Sequence, residues 1–262
     1  MLDNFEITSP DGTRIGCHLS GKGPPLVLVH GTSGTHGGFE FVEPDLAESF
    51  TVIAIDRRGR GTSGDALGPY AIEREFEDVA AVVDSFGEPA SLFGHSYGAL
   101  VAFGAVPLAR NLARLVLYEP PLSVRNVSDL FLGRLDDLAR RGDLEAVLTE
   151  FYVDFLGLQP EQLNAERTLP DWESRVAAAA TIPRELRTAQ EWKPKTKGYQ
   201  EFTAPTLLLL GSESPEWAKQ ATDNASALIK SSHVVILQGQ GHIATATAPE
   251  LIAAELAAFL GK

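Results

Sequence analysis

A single cysteine, Cys17, occurs among 262 residues. It has no partner for an internal disulfide and no second thiol with which to build a zinc or iron–sulfur site, which fits a reducing compartment. Positive charge is scarce as well: 22 Lys and Arg stand against 35 Asp and Glu, a formal net charge of -13. A field of that sign repels phosphate backbones and anionic lipid surfaces, so nucleic-acid binding has no electrostatic source. Long hydrophobic runs are also missing. The most apolar stretch, Gly98 to Leu108, falls short of the roughly 20 residues a bilayer span needs, and it is closed by Arg110. The first residues, Met1-Leu2-Asp3-Asn4-Phe5-Glu6, carry acids where a secretory leader would carry positive charge and then an apolar run. Together these absences set the expectation of a cytoplasmic protein with neither membrane nor nucleic acid as partner.

What is present is an ordinary globular composition, 44% hydrophobic and 22% charged, in a chain long enough for one large domain or one domain with an insertion. Residues 1–20 alternate weakly and turn at Ser9-Pro10-Asp11-Gly12, which reads as a hairpin. Short continuous apolar runs then recur at 25–30, 50–56, 90–94, 115–118, 206–210 and 233–237, the pattern of strands buried on both faces. Helical patterns lie between them, at Ile72 to Phe86, Tyr97 to Arg110, Trp217 to Ile229 and Pro249 to Leu260. Strands alternating with helices predict an α/β fold, a mostly parallel sheet with helices on both faces. From 122 to 203 no buried strand is visible. Amphipathic segments at Asp129–Arg141, Leu144–Leu156 and Trp172–Thr181, separated by Gly142, Pro160, Pro170 and Pro183, predict a helical cap inserted into a core formed by 1–121 and 204–262.

The strongest chemical signal is Gly94-His95-Ser96-Tyr97-Gly98, a G-x-S-x-G between an apolar strand and an apolar helix. In that turn a serine is held on a strained corner, exposed at the sheet's edge, with glycines where side chains would clash. A bland reading of a serine at a strand end is a helix N-cap, but the flanking elements favour a nucleophile. A hydroxyl needs a base to take its proton. Of six histidines, His242 is best placed, following the last strand in Gly239-Gln240-Gly241-His242 at the carboxyl end of the sheet. His18, His36 and His233 read as structural or solvated, and His95 should point away from the serine.

These motifs, with His30-Gly31-Thr32 after an early strand and Asp56-Arg57-Arg58-Gly59-Arg60-Gly61-Thr62-Ser63 after the next, resemble the α/β-hydrolase family along the whole chain. The resemblance implies an oxyanion hole from the backbone N–H groups of Thr32 and Tyr97, with His30, Asp56 and Arg58 as structural anchors. It also exposes a departure. Most members place an aspartate in the loop after the strand that follows the cap, as G-x-x-D, whereas here the loop reads Gly211-Ser212-Glu213-Ser214. The candidate acids are Glu119, at the end of the strand after the elbow helix, and Glu213. Glu119 is preferred, because haloalkane dehalogenases and fungal zearalenone lactonases are similar in carrying a glutamate there. A serine at position 96 turns the resemblance away from dehalogenases and epoxide hydrolases, which use aspartate, and towards acyl chemistry.

The expected activity is therefore hydrolysis of a carboxylic ester or lactone through an acyl-enzyme on Ser96, without cofactor or metal. The cap's Phe151, Phe155, Trp172 and Trp192 are candidates for an apolar pocket and imply a hydrophobic substrate of moderate size. Carbon–carbon bond hydrolysis, cofactor-free perhydrolysis and a non-catalytic binding module stay open on the same residues. Gly59-Arg60-Gly61-Thr62-Ser63-Gly64 matches the dinucleotide fingerprint literally, but no helix opens after it.

Overall fold

The structure, a computed structural model, describes residues 3–65, 68–122 and 127–261. Met1 and Leu2 of the acidic start, residues 66–67 of the polar loop and residues 123–126 of the expected cap lie outside the described residues.

One sheet of eight strands organises the described residues: β1 Asp3–Thr8, β2 Arg14–Gly21, β3 Pro25–Val29, β4 Thr51–Ile55, β5 Ala90–His95, β6 Leu112–Tyr118, β7 Thr206–Gly211 and β8 Ser232–Leu237. Their order across the sheet is β1-β2-β4-β3-β5-β6-β7-β8. The pairs β1/β2 and β2/β4 are antiparallel, and every later neighbour is parallel. The hairpin forms where expected, because Gly12 takes a left-handed φ of 89° and Asp11 accepts the Thr13 N–H at 3.0 Å.

Among the described residues, twelve α-helices accompany the sheet: α1 Glu43–Ala47, α2 Ile72–Asp84, α3 Tyr97–Ala105, α4 Asp129–Arg140, α5 Leu144–Glu150, α6 Pro160–Glu166, α7 Trp172–Ala178, α8 Ile182–Glu191, α9 Thr196–Gln200, α10 Glu216–Leu228, α11 Ala244–Thr247 and α12 Pro249–Leu260. Alternate residues of each central strand serve opposite cores. Val27, Val29, Leu92 and Leu117 pack with α2 and α3, while Leu26, Leu28, Phe93 and Val116 pack with Ile252 and Leu256 of α12. Every residue of α3 is buried, as befits a helix apolar on all sides. It stops at Ala105 rather than running to Arg110, since Pro107 denies the ladder an N–H and crowds the residue before it.

Between β6 and β7 all described elements are helical, and they build a third core around Leu135, Val147, Leu148, Phe151, Ile182 and Leu186. The segment expected as one helix over 144–156 stops at Glu150 and widens into a turn of π-helix over Phe151–Phe155. Pro183, expected to mark a break, stands instead in the first turn of α8, where its missing N–H is not needed. Among the described residues no helix is long and apolar enough to cross a membrane.

Candidate functional site

Ser96 joins β5 to α3 with φ 54° and ψ -124°. A side-chain-bearing residue at positive φ is strained, and neighbouring bonds hold it there. Its N–H donates to the Tyr118 carbonyl at 2.9 Å, and its own carbonyl accepts from Ala99 at 2.9 Å. The flanking glycines are required by space. A Cβ on Gly94 would lie 2.5 Å from the Gly98 carbonyl oxygen, and one on Gly98 would lie 2.1 Å from that of Val29.

His242 lies between the serine and one carboxylate: Nε2 is 2.9 Å from Ser96 Oγ and Nδ1 is 2.5 Å from Glu119 Oε2. Glu119 directly follows β6, with no solvent exposure and a φ of 50°. Its other oxygen accepts the Gly211 N–H at 2.8 Å and the Ser214 hydroxyl at 2.5 Å. Burial by itself would raise this carboxyl, but the bond to His242, that ring's charge and the two further donors hold it below the usual carboxylate range. An ionised Glu119 accepts from Nδ1–H, which leaves Nε2 bare and facing the serine hydroxyl. Of the two candidate acids, Glu119 therefore meets the histidine. Glu213 is exposed, and its backbone N–H is tied to the Gln240 carbonyl. Ser214, at the place where aspartate is usual, instead holds the glutamate that reaches across from β6.

The histidine is fixed on three sides. Its carbonyl accepts a bond of 2.7 Å from His95 Nε2, its ring meets the edge of Trp217 at 5.0 Å between centroids, and the preceding Gly241 carbonyl accepts from the Tyr118 hydroxyl. His95 thus turns to the backbone of His242 rather than to the serine, and burial together with the His242 charge lowers its pKa to about 3. Neither this strut nor Trp217 was visible in the motifs. Each depends on a contact between segments separated in sequence.

Thr32 and Tyr97 line the cavity above Ser96 together with His242. Gly31 lets the Thr32 loop approach the elbow, since a Cβ there would lie 3.1 Å from that of Ser96. His30 is the loop anchor expected of it: Nε2 accepts the Arg57 N–H at 3.1 Å, so Nδ1 carries the proton and donates to the Gly31 carbonyl at 2.9 Å. Burial, then the nearby Arg57 and Arg60, hold its pKa well below the ordinary value. Arg58 is clamped by Asp78 and Asp11 at 2.7 and 2.9 Å. Asp56 accepts from His18 at 3.0 Å, from His36 at 2.9 Å and from the Thr62 N–H at 2.8 Å. The literal dinucleotide pattern is spent on this aspartate: a Cβ on Gly61 would lie 2.2 Å from Asp56 Oδ2, and α2 opens only at Ile72. Among the described residues, His18, His36 and Asp56 are the one group of three whose ligand atoms gather within 4.8 Å as a metal would require. Here they bond to one another, and none lines the cavities at Ser96.

Two cavities open onto Ser96 and His242. Phe151 and Leu156, on and just after the π-helical turn, border both. Phe155 lines the first, with Val127, Leu186, Ala189 and Trp217. Two expected pocket residues are displaced. Trp192 packs edge-on against Phe76 of α2 at 5.0 Å, and Trp172 packs against Tyr152 at 6.2 Å. Both rings are half-buried against apolar neighbours, and neither touches the space above Ser96. Trp217 of α10 supplies the aromatic wall instead. The second cavity carries a polar group that no motif singled out: Glu166, Asp171 and Arg175.

Against known proteins, the sequence pattern of the alpha/beta hydrolase family matches residues 26–255. An alpha/beta hydrolase from Sphaerobacter thermophilus DSM 20745 is 35% identical, with 98% of this chain and 100% of that one covered at a TM-score of 0.85. The esterase RhEst1 from Rhodococcus sp. ECU1013 is 26% identical, with 99% and 98% covered at a TM-score of 0.75. The probable oxidoreductase EphD of Mycobacterium bovis is 35% identical over 100 residues, which are 36% of this chain but only 17% of that protein's length.

Proposed function

We propose that this chain, which belongs to the alpha/beta hydrolase family, hydrolyses a carboxylic ester or lactone of moderate size through an acyl-enzyme on Ser96. The observation that carries the reading is the unbroken run from Ser96 Oγ to His242 at 2.9 Å and from His242 to Glu119 at 2.5 Å, at the floor of a largely apolar cavity. Ser96 Oγ attacks the carbonyl carbon while His242 Nε2 takes its proton. The oxyanion that forms is met by the N–H groups of Thr32 and Tyr97, donors worth about 3 kcal/mol each in comparable sites. The imidazolium then protonates the leaving alkoxide. In the second half a water gives its proton to His242 and attacks the acyl carbon, and the carboxylic acid leaves as Ser96 regains its proton. Glu119 stays ionised throughout and stabilises the imidazolium. No step in this scheme calls on a cofactor or metal, and the lining of Val127, Phe151, Phe155 and Leu186 favours a hydrophobic substituent.

The test is acid release from aryl esters, alkyl esters and lactones by wild type and Ser96→Ala, with intact mass spectrometry for the acyl-enzyme. The expected result is turnover of a subset, an acyl adduct on wild type, and a loss of at least about a thousandfold in the variant. Equal rates in both proteins would refute the nucleophile. Binding without release would favour a binding module, and peroxide-dependent or carbon–carbon cleavage would move the chemistry elsewhere on the same residues.

A further inference from the structure

The second cavity above Ser96 is chemically unlike the first. Arg175 of α7 donates from Nε to Asp171 Oδ2 at 2.6 Å and from Nη1 to Glu166 Oε2 at 2.7 Å, with the Tyr152 hydroxyl at 3.1 Å. The three charged side chains are 18%, 8% and 12% exposed, for Arg175, Asp171 and Glu166 in turn. One guanidinium thus answers two carboxylates, and the group keeps one negative charge in excess. Burial raises the Glu166 carboxyl above its ordinary value; Arg175 pulls it back, and the Asp171 charge adds to the rise. Asp171 Oδ1 is buried with no hydrogen-bond partner. An orphaned buried carboxylate oxygen is costly to keep dry, and Asp171 lines the cavity that also contains Ser96 and His242.

The chemistry of that orphan selects its occupant. An alkyl group would leave Oδ1 desolvated and unpaired. A carboxylate would add a third anion to a guanidinium already shared by two. A hydroxyl or a protonated amine supplies the missing hydrogen, and the excess negative charge adds attraction for the amine.

Resting on the ester-hydrolase reading, we propose that Asp171, held by Arg175, receives a hydrogen-bond donor carried on one substituent of the scissile ester, while the other substituent fills the apolar cavity. The substrate class is then a two-faced ester, greasy on one side of the carbonyl and bearing a hydroxyl or ammonium on the other.

The experiment is a series of closely matched esters on the whole chain. Hexanoate esters of 3-methylbutanol, 3-hydroxypropanol, 2-(dimethylamino)ethanol and 3-hydroxypropanoic acid vary the alcohol side. Hexyl esters of 4-methylpentanoic, 4-hydroxybutanoic, 3-(dimethylamino)propanoic and butanedioic acids vary the acyl side. In one of the two sets the hydroxyl or ammonium ester should exceed its alkyl match by at least about tenfold in kcat/KM, with the carboxylate poorest. Asp171→Asn should shrink the ammonium preference towards unity, and rescue by Asp171→Glu would restore part of it. If neither set shows a donor preference, or the carboxylate ester is best, while Ser96-dependent hydrolysis persists, the inference falls and the hydrolase reading stands. If no ester is turned over, the hydrolase reading falls, and calorimetric binding of the same esters to Ser96→Ala decides the inference: donor esters about tenfold tighter support it, equal affinities overturn it. Should Asp171→Asn fail to fold, the wild-type series decides by itself.

Discussion

Glu119→Gln tests the relay most sharply, because the structure dictates how the amide would sit. In the wild type Oε1 accepts from the Gly211 N–H and the Ser214 hydroxyl, and Oε2 accepts from His242 Nδ1. A glutamine has one oxygen to offer, and two donors compete for it at the Oε1 side. The amide therefore turns its NH2 towards Nδ1, which must then accept. The imidazole proton moves to Nε2, facing Ser96, and the base is lost without moving a heavy atom. A carboxylate-to-amide change that fixes the wrong tautomer costs about 10⁴ in kcat elsewhere; a fall of about 10³ to 10⁴ is expected here, or about 4 to 5.5 kcal/mol of barrier. KM should change little, since Glu119 lines neither cavity. Ser214→Ala removes one donor and leaves the Gly211 N–H, so its loss should be about tenfold. Glu213→Gln alters only an exposed carboxylate and should leave the rate within twofold or so. The assay is steady-state release of p-nitrophenol from a p-nitrophenyl ester, with circular dichroism to verify folding. A Glu119→Gln enzyme within tenfold of wild type, beside a crippled Glu213→Gln, would refute this assignment of the acid.

Two further predictions concern the scaffold. Gly98→Ala drives a Cβ to within 2.1 Å and 2.4 Å of the Val29 and His30 carbonyl oxygens, so the elbow must shift at a cost of about 3 kcal/mol, readable as a lower urea midpoint together with lost activity. His30 and His95 are both held neutral, with pKa values depressed from 6.5, to about 3 for His95. Between those limits the unfolded chain binds the protons first, so their stabilisation is complete above pH 6.5 and is lost as pH falls below it, at up to about 1.4 kcal/mol per pH unit for each. Urea unfolding at pH 7, 6 and 5 should show that slope, and His95→Asn should flatten it by one histidine's share; an unchanged slope would contradict the burial argument.

Much of the architecture was legible because buried parallel strands write themselves as continuous apolar runs, and the elbow as two glycines that space alone requires. The run at 233–237 forms a strand too, but at the sheet's edge, where Val234 and Ile236 are exposed rather than buried. Ser96, His242 and Glu119 could be nominated because each ends or follows a strand, and a parallel sheet gathers such positions at one edge. Helix ends were less legible, as Pro107 and Pro183 show: the same residue stops one helix and starts another, depending on where the turn begins. The helical segment between β6 and β7 was read only in outline. Its helices take their place from contacts such as Arg57 to Glu185, 128 residues apart, and short-range periodicity carries no trace of these. Trp192 was misplaced for the same reason, since its aromatic character says that it will be buried but not against which helix. The bond from Ser214 to Glu119 spans 95 residues, so the loop showed a missing aspartate without showing what the serine does there.

Arg57 ties these separately legible parts together. Its backbone N–H holds His30, its Nη1 reaches the Gly31 carbonyl at 3.2 Å, and its guanidinium lies 4.4 Å from the centre of the Tyr97 ring. It thus touches the loop carrying Thr32 and the residue after Ser96, the two places from which the oxyanion donors are proposed to come. The same guanidinium forks onto Glu75 at 2.6 and 2.9 Å and meets Glu185 of α8 at 2.8 Å. Arg60 shares Glu185, and burial with the repulsion of Arg57 brings its pKa down to about 9. Two arginines against two glutamates leave the buried group neutral. Such pairs add little net stability over apolar packing, but they are directional in a way that apolar packing is not. Glu185 and Thr188, whose hydroxyl lies 2.9 Å from that of Tyr97, bind the core. Leu186, Ala189 and Gln190 of the same helix wall the cavity. The wall above Ser96 and the elbow beneath it are therefore set by one ionic joint, so a shift of α8 would be felt at both.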